Sequence, residues 1–523
     1  MRPSSEPNHF LMTLTAQRLL LAILLPLAAV ARADVSPAPL FSDGAVLQRD
    51  KPVAIWGRAD PAEKVSVTFA GQRREATTGA DGRWIVYLDS LAASGQGTDL
   101  VIAGRNTVIL RDVVVGEVWL CSGQSNMEFP VSRATNGARE VAAANFPLLR
   151  HVKIERTVAA SAAEAVRTTG WKPATPSEAG AFTAVGYFFA RELHQKTGVP
   201  IGLVHSSWGG TPIESWMSGA ALAENPAFAV VGERWRQMEA AYPADKVTYD
   251  ANLPGWTAAE ATARSRGRAE LAAFLQQNPQ PRPPRGPGDP WTPAGLFNGM
   301  IHPLLPYAFR GVLWYQGETN ATRAAEYHPL FTALITAWRR HFGQPDLAFY
   351  WVNLAGFDPP DDPSGTSFAF LREAQTRTLS IPNTGQAIAI DLGDPSDIHP
   401  PNKQEVGRRL AVLARNRIYG LVSDDTGPTL AGVTREGSAL RVRFNHVGTG
   451  LIAADKPAQS LQLAGVDRVF HPASGRIERD TLLVSSPAVK EPVAVRYAWK
   501  NAPVANLYNG AGLPAVPFRS DNW

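Results

Sequence analysis

The sequence predicts an α/β fold built on a largely parallel sheet, with β-sandwich-like regions at its N- and C-terminal sides. Three observations carry that expectation. Apolar runs at Val115–Cys121, Ile201–His205, Gly311–Tyr315, Leu347–Asn353 and Gln386–Asp391 have the length of fully buried strands. Helical stretches lie between them, which calls for right-handed crossovers and parallel pairing. Before residue 112 and after residue 423 the rhythm changes to short β-rich segments set between turns.

The elements follow in chain order. Arg18 precedes an apolar run from Leu19 to Ala31, and Ala31-Arg32-Ala33 offers the small residues of a cleavage site. Residues 1–33 therefore read as an export signal, with a mature start near Asp34 and a periplasmic or secreted protein. Val53–Trp56, Lys64–Phe69, Arg83–Leu88 and Asp99–Ile102 are β-rich, with a turn at Ala80-Asp81-Gly82, so residues 34–111 are expected to form a small β domain. Residues 112–423 hold the strands and helices. Phe182–Thr197 ends at Gly198, Ala325–Phe342 at Gly343, and Asn402–Tyr419 at Gly420, each glycine a C-cap. Asn402 with Glu405 three residues on has a capping-box pattern.

An insertion interrupts this unit at about 220–295. Ala220–Leu275 is polar and Ala-rich, a helical excursion, and Pro279–Pro293 has seven prolines in 15 residues, which excludes regular helix or central strand. Leu440–Phe444, Ser460–Leu463, Thr481–Ser485 and Ala494–Trp499 mark a second β domain over residues 424–523.

Composition narrows the function classes. The 523 residues are 45% hydrophobic and 19% charged, enough to bury several cores. The net charge of +4 falls to about +2 once residues 1–33, with Arg2, Arg18, Arg32 and Glu6, are set aside. Basic residues are not clustered, so nucleic acid is not expected as a partner. No later run reaches 18 uninterrupted apolar residues, so no membrane partner is expected after signal removal. Cys121, the single cysteine, lies in an apolar run and reads as buried packing.

In open parallel sheets, functional groups gather beyond the carboxyl ends of the strands. Four of those loops stand out: Ser122-Gly123-Gln124-Ser125-Asn126-Met127, Ser206-Ser207-Trp208-Gly209-Gly210-Thr211, Gln316-Gly317-Glu318-Thr319-Asn320, and the segment with Asp394, Asp397 and His399. Together they supply a hydroxyl, flexible backbone amides, a side-chain amide and an imidazole near carboxylates. Acyl transfer by a serine nucleophile needs those parts. Taken singly, each has a plain structural reading: a turn serine, a capping histidine, a tight glycine turn. Met127 stands where the nucleophile elbow of Gly-x-Ser-x-Gly hydrolases has its second glycine, so that motif is excluded. No metal-ligand spacing occurs among the ten histidines and one cysteine, and no metal or cofactor is expected.

The block Gly116-Glu117-Val118-Trp119-Leu120-Cys121-Ser122-Gly123-Gln124-Ser125-Asn126-Met127-Glu128 resembles the nucleophile block of sialate O-acetylesterases, in the SGNH hydrolase superfamily. Trp208-Gly209-Gly210-Thr211-Pro212-Ile213-Glu214-Ser215-Trp216, Trp314-Tyr315-Gln316-Gly317-Glu318-Thr319-Asn320 and Asp397-Ile398-His399-Pro400 are similar to its glycine, third and histidine blocks. The resemblance implies a flavodoxin-like three-layer SGNH core, an acetylated carbohydrate as substrate, and no metal. It also implies Ser125 as nucleophile, His399 as base, and an oxyanion hole of the Ser125 amide, a Gly210 amide (Gly209 the alternative) and the Gln316 side chain.

Asp397 is the first choice to orient His399, with its own backbone carbonyl, Asp394 or Asp391 as alternatives. Trp208, Trp216 and Trp314 are open between sugar stacking and core packing. Three rival readings remain: a glycosidase pairing Glu318 with Asp394 or Asp397, a non-catalytic carbohydrate-binding protein, and a GDSL-type lipase.

Overall fold

The computed structural model describes residues 34–421, 424–454 and 457–523. The expected export signal, residues 1–33, lies outside the described residues, as does the junction at 422–423.

The central sheet has six parallel strands: β1 (Thr107–Gly123), β2 (Phe146–Lys153), β3 (Ile201–Ser207), β4 (Gly311–Tyr315), β5 (Ala348–Asn353) and β6 (Thr384–Ile388). Their spatial order is β2-β3-β1-β4-β5-β6, with Lys172–Ala174 antiparallel on the outer edge of β2. Strands β3 to β6 are buried along their whole length, as both-face coverage requires. Helices cover the two faces. Trp119 packs against Phe189 of the helix Ala184–Thr197, which lies on the helix Lys403–Arg417. Trp314 pairs with Ser122 in register, so it points away from the Trp119 face and meets Phe331 and Trp338 of the helix Ala324–His341. That helix packs on Ser367–Arg377. Among the described residues no helix is long and apolar enough to cross a membrane.

The N-terminal β region is not closed off from this sheet. The expected boundary at 111/112 falls inside β1, which continues through both. Its first half pairs antiparallel with Ser94–Ala103, and its second half pairs parallel with β3 and β4. Arg111-Asp112 looks like a break in the sequence, and Asp112 does take a φ of +56°, yet the strand resumes at once. A single hydrophobic core therefore runs from Val35 to Ala414. Of the other N-terminal strands, Val46–Gln48 runs parallel beside β1, Ser36–Pro37, Val53–Arg58 and Arg83–Leu88 form a three-stranded sheet, and Lys64–Phe69 pairs with both Gln72–Thr77 and Ser94–Ala103.

The C-terminal β region is a seven-stranded antiparallel sheet with its own core, to which Ile388 and Ile390 contribute. The insertion is helical at Gly219–Glu224, Ala229–Ser265 and Arg268–Gln277, and the proline-rich stretch after it has no regular structure.

Candidate active site

All four singled-out loops meet where the chain order reverses about β1, at the carboxyl ends of β1, β3, β4 and β6. At the end of β1, Gly123 has a φ of +129° and passes so close to Tyr315 that a Cβ would collide with the Tyr315 carbonyl. Gln124 N then donates to Tyr315 O at 2.9 Å, and the short helix Ser125–Glu128 begins. Gln124 turns inward, where its Oε1 accepts from Gly317 N (3.3 Å) and Thr319 N (3.4 Å). The loops after β1 and β4 are thereby tied together, with Ser125 at the first position of its helix.

His399 arrives from the far side. A tight turn at Asp394, whose carboxylate accepts from Ser396 N (2.8 Å) and Ser396 Oγ (2.7 Å), sends the chain back toward β1. His399 Nε2 then lies 2.8 Å from Ser125 Oγ. For Nε2 to accept the hydroxyl proton, the ring must carry its own proton on Nδ1. Burial holds the imidazole pKa below its ordinary value, and the positive charges of Lys403 and Arg133 add to this, while Asp397 opposes them.

The carboxylate of Asp397 is placed differently from the first expectation. Its Oδ1 accepts from the backbone N of His399 at 2.8 Å and stands 3.9 Å from Nδ1, an ion-pair distance but too long for a hydrogen bond. The two-residue tether is the reason, since the carboxylate is captured by the nearer backbone amide. Asp391 is committed to Arg409 (2.6 and 2.7 Å), and Asp394 to the Ser396 turn, so neither acid serves the imidazole.

Two of the three expected oxyanion donors are open. Gly209 N is spent on Glu128 Oε2 at 3.0 Å, and the glycine packs so tightly on Ser125 that a Cβ would lie 3.1 Å from Ser125 Cβ. The next residue, Gly210, is exposed in the left-handed region at φ +73°. Neither its amide nor that of Ser125 is engaged by another described residue. Gln316 is not available. It is fully buried, and its Nε2 donates to Asn320 Oδ1 (2.7 Å) and to Thr211 O (3.2 Å). Both hydrogens of the amide are used, so its work is to brace the glycine loop from behind. Asn320, four residues on in the same turn, captures it, a contact that a linear motif conceals.

Trp216 and Trp314 resolve as core, fully buried, whereas Trp208 is partly exposed beneath the Arg156 guanidinium, 5.3 Å from the ring centroid. Cys121 is buried, as expected, and burial pushes its thiol pKa far up. Glu318, offered above as a glycosidase acid, points inward onto Asn126 at 2.6 Å. Sequence reasoning missed Trp291. Its Nε1 donates to the Gly210 carbonyl at 2.7 Å, and Arg285 lies 4.4 Å over its ring. The one signal for it was a single tryptophan inside the proline-rich stretch.

A parallel sheet whose strand-end loops bring a serine, a histidine and open backbone amides together, with helices on both faces, is an enzyme architecture of the α/β class. The carbohydrate esterase family of sialic acid-specific acetylesterases matches residues 115–241 and 295–415, two segments that flank the proline-rich part of the insertion. Sialate O-acetylesterase of Rattus norvegicus is 32% identical over 522 residues, covering 90% of this chain and 92% of that one. Sialate O-acetylesterase of Homo sapiens is 31% identical over 452 residues, covering 78% and 76%. The crystal structure of a carbohydrate acetylesterase from Xanthomonas citri is similar at a TM-score of 0.79 and 39% identity, covering 94% of this chain and all of that one. The chain belongs to the sialate O-acetylesterase family of carbohydrate esterases, and its activity is that of a carbohydrate O-acetylesterase.

Proposed function

We propose that the chain removes O-acetyl groups from a sugar by way of an acetyl-enzyme on Ser125, on an SGNH-type core. The observation that carries this is the 2.8 Å contact between Ser125 Oγ and His399 Nε2 beside the open Gly210 amide. Ser125 Oγ attacks the acetyl carbonyl carbon as its proton passes to His399 Nε2. The oxygen that becomes negative is met by the backbone N–H groups of Ser125 and Gly210, each such donor contributing roughly 3 kcal/mol to the transition state. The ester C–O bond then breaks, and the sugar oxygen leaves with the proton from His399. Water attacks the acetyl-serine, His399 takes its proton, and acetate departs as Ser125 is regenerated.

The depressed pKa of His399 supports this cycle, because the base must begin neutral. The sugar itself is sialate, the substrate named for the curated relatives, or an acetylated plant polysaccharide such as xylan or xyloglucan. Glu318, half-buried and turned inward onto Asn126, weighs against the glycosidase reading.

An acetate-release panel on acetylated sialate, xylan and xyloglucan, run with the wild type and Ser125→Ala, tests both parts. Acetate release by the wild type and none by the variant is expected. Turnover by a folded Ser125→Ala enzyme would refute the mechanism.

A further inference from the structure

Beneath the Ser125–His399 contact lies a buried group that the acyl-transfer steps do not use. Asn126, 2% exposed, gives one amide hydrogen to the Ile398 carbonyl (2.9 Å) and the other to Glu318 Oε1 (2.6 Å). Its Oδ1 accepts from Lys403 Nζ. Lys403 stands in the first turn of a helix, where a lysine ordinarily reaches solvent, yet it is fully buried. Its ammonium sits 5.0 Å from the ring centroid of Phe129 and 5.4 Å from that of Tyr315. Burial pushes the Lys403 pKa down to about 7 and the Glu318 pKa up. Such a pair is costly to maintain, and the helix has no need of it.

The arrangement leaves the Asn126 amide a single orientation. A cation at Oδ1 and a carboxylate plus a carbonyl at Nδ2 forbid the flip that would put an acceptor against the Ile398 carbonyl. Asn126 follows the nucleophile, and Ile398 precedes the base. One side chain therefore spans the two halves of the reacting pair.

We propose that Asn126, held in one orientation by Lys403 and Glu318, is a positioning residue that clamps the Ile398 carbonyl and so sets His399 Nε2 on Ser125 Oγ. The proposal rests on the Ser125–His399 reading above. It gives Lys403 a second effect through space. The groups facing His399 are Asp397 on its own loop, Lys403 on the following helix and Arg133 at the turn Val131–Arg133, and Lys403 is the strongest of these in disfavouring the imidazolium.

The test compares Asn126→Ala, the isosteric Asn126→Asp, and the double variant Lys403→Met with Glu318→Gln, which removes both buried charges together. Thermal melts establish folding, and Ser125→Ala is run beside them. If the clamp sets the base, both Asn126 variants lose about 10²-fold in kcat, as a misplaced reacting group does, with KM within about threefold of wild type. The double variant has a lower kcat, and the acid limb of its kcat/KM profile moves to higher pH, because His399 loses its cationic neighbour. A purely structural role would lower the melting temperature and leave that limb in place. Folded Asn126 variants with more than about a third of wild-type kcat, beside an inactive Ser125→Ala, overturn the clamp alone. An active Ser125→Ala overturns the Ser125–His399 reading and the clamp with it.

Discussion

The two ends of the parallel part of β1 carry opposite designs. At its start, Glu117 is fully buried and every strong partner is in place: Arg49 Nε at 2.6 Å, Arg310 Nε at 2.6 Å and Gln48 Nε2 at 2.9 Å. Burial pushes this carboxyl up, but the Arg310, Gln48 and Arg49 contacts outweigh it and hold its pKa below the usual range. At its end, the strand brings a serine hydroxyl to a histidine and leaves the Ser125 and Gly210 amides without a partner among the described residues. Charge at the foot is satisfied within the protein, whereas hydrogen-bonding capacity at the head is left over. A buried polar cluster therefore marks a site only where some of its hydrogen-bonding capacity is left over.

The contrast breaks most sharply at the head. Ser125→Ala should lower kcat by about 10⁴-fold or more with an unchanged melting temperature, measured by acetate release and calorimetry. Glu117→Ala should do the reverse, costing about 3 kcal/mol in denaturant unfolding by stranding two arginines, while the enzyme still folded at 25 °C keeps its kcat. Because the folded-state pKa of Glu117 is depressed, its contribution is present above the ordinary carboxylate range and is lost as pH falls through the folded value. Glu117→Gln should show a smaller acid-dependent loss of stability than the wild type.

Smaller effects sharpen the picture at the head. At 3.9 Å from Nδ1, with its side chain 55% exposed, Asp397 supplies field rather than a hydrogen bond. Asp397→Asn should retain more than about a tenth of kcat, unlike an orienting carboxylate, whose loss costs orders of magnitude. The acid limb of wild-type kcat/KM should fall below the ordinary histidine value of about 6.5, since burial and Lys403 depress His399. Asp397→Asn should move that limb further down, because its charge favours the imidazolium. Least of all, Trp291→Phe, which removes the hydrogen bond to the Gly210 carbonyl, should cost about fivefold in kcat. Steady-state kinetics across pH check all four.

The sequence made the head of the sheet legible because buried parallel strands are uninterrupted apolar runs, and the loops that end them are rich in glycine and polar residues. The four loops follow from that pattern, and the choice of Ser125, His399 and Gly210 within them follows from the resemblance to the family's blocks. Where reasoning failed, the deciding partner was distant or of the wrong apparent type. Gln316 looks like a free donor until Asn320 and Thr211 are seen to use its amide. Lys403 belongs to none of the motifs, and only the packing of Phe129 and Tyr315 shows it buried. The domain boundary expected at 111/112 does not exist in space, because β1 runs through it and both halves have strands to pair with. Trp291 lies in a stretch without periodicity, where position in space cannot be inferred from position in the chain.

The central claim is that Ser125 carries the acyl group and His399 activates it. Peptide mass spectrometry of enzyme inactivated by a p-nitrophenyl alkylphosphonate tests this directly, with wild type and His399→Ala treated side by side. The account predicts a phosphonyl adduct on Ser125 that forms in step with loss of activity and far more slowly in His399→Ala. An adduct on any other residue, or an inactivated enzyme whose Ser125 peptide is unmodified, would contradict it.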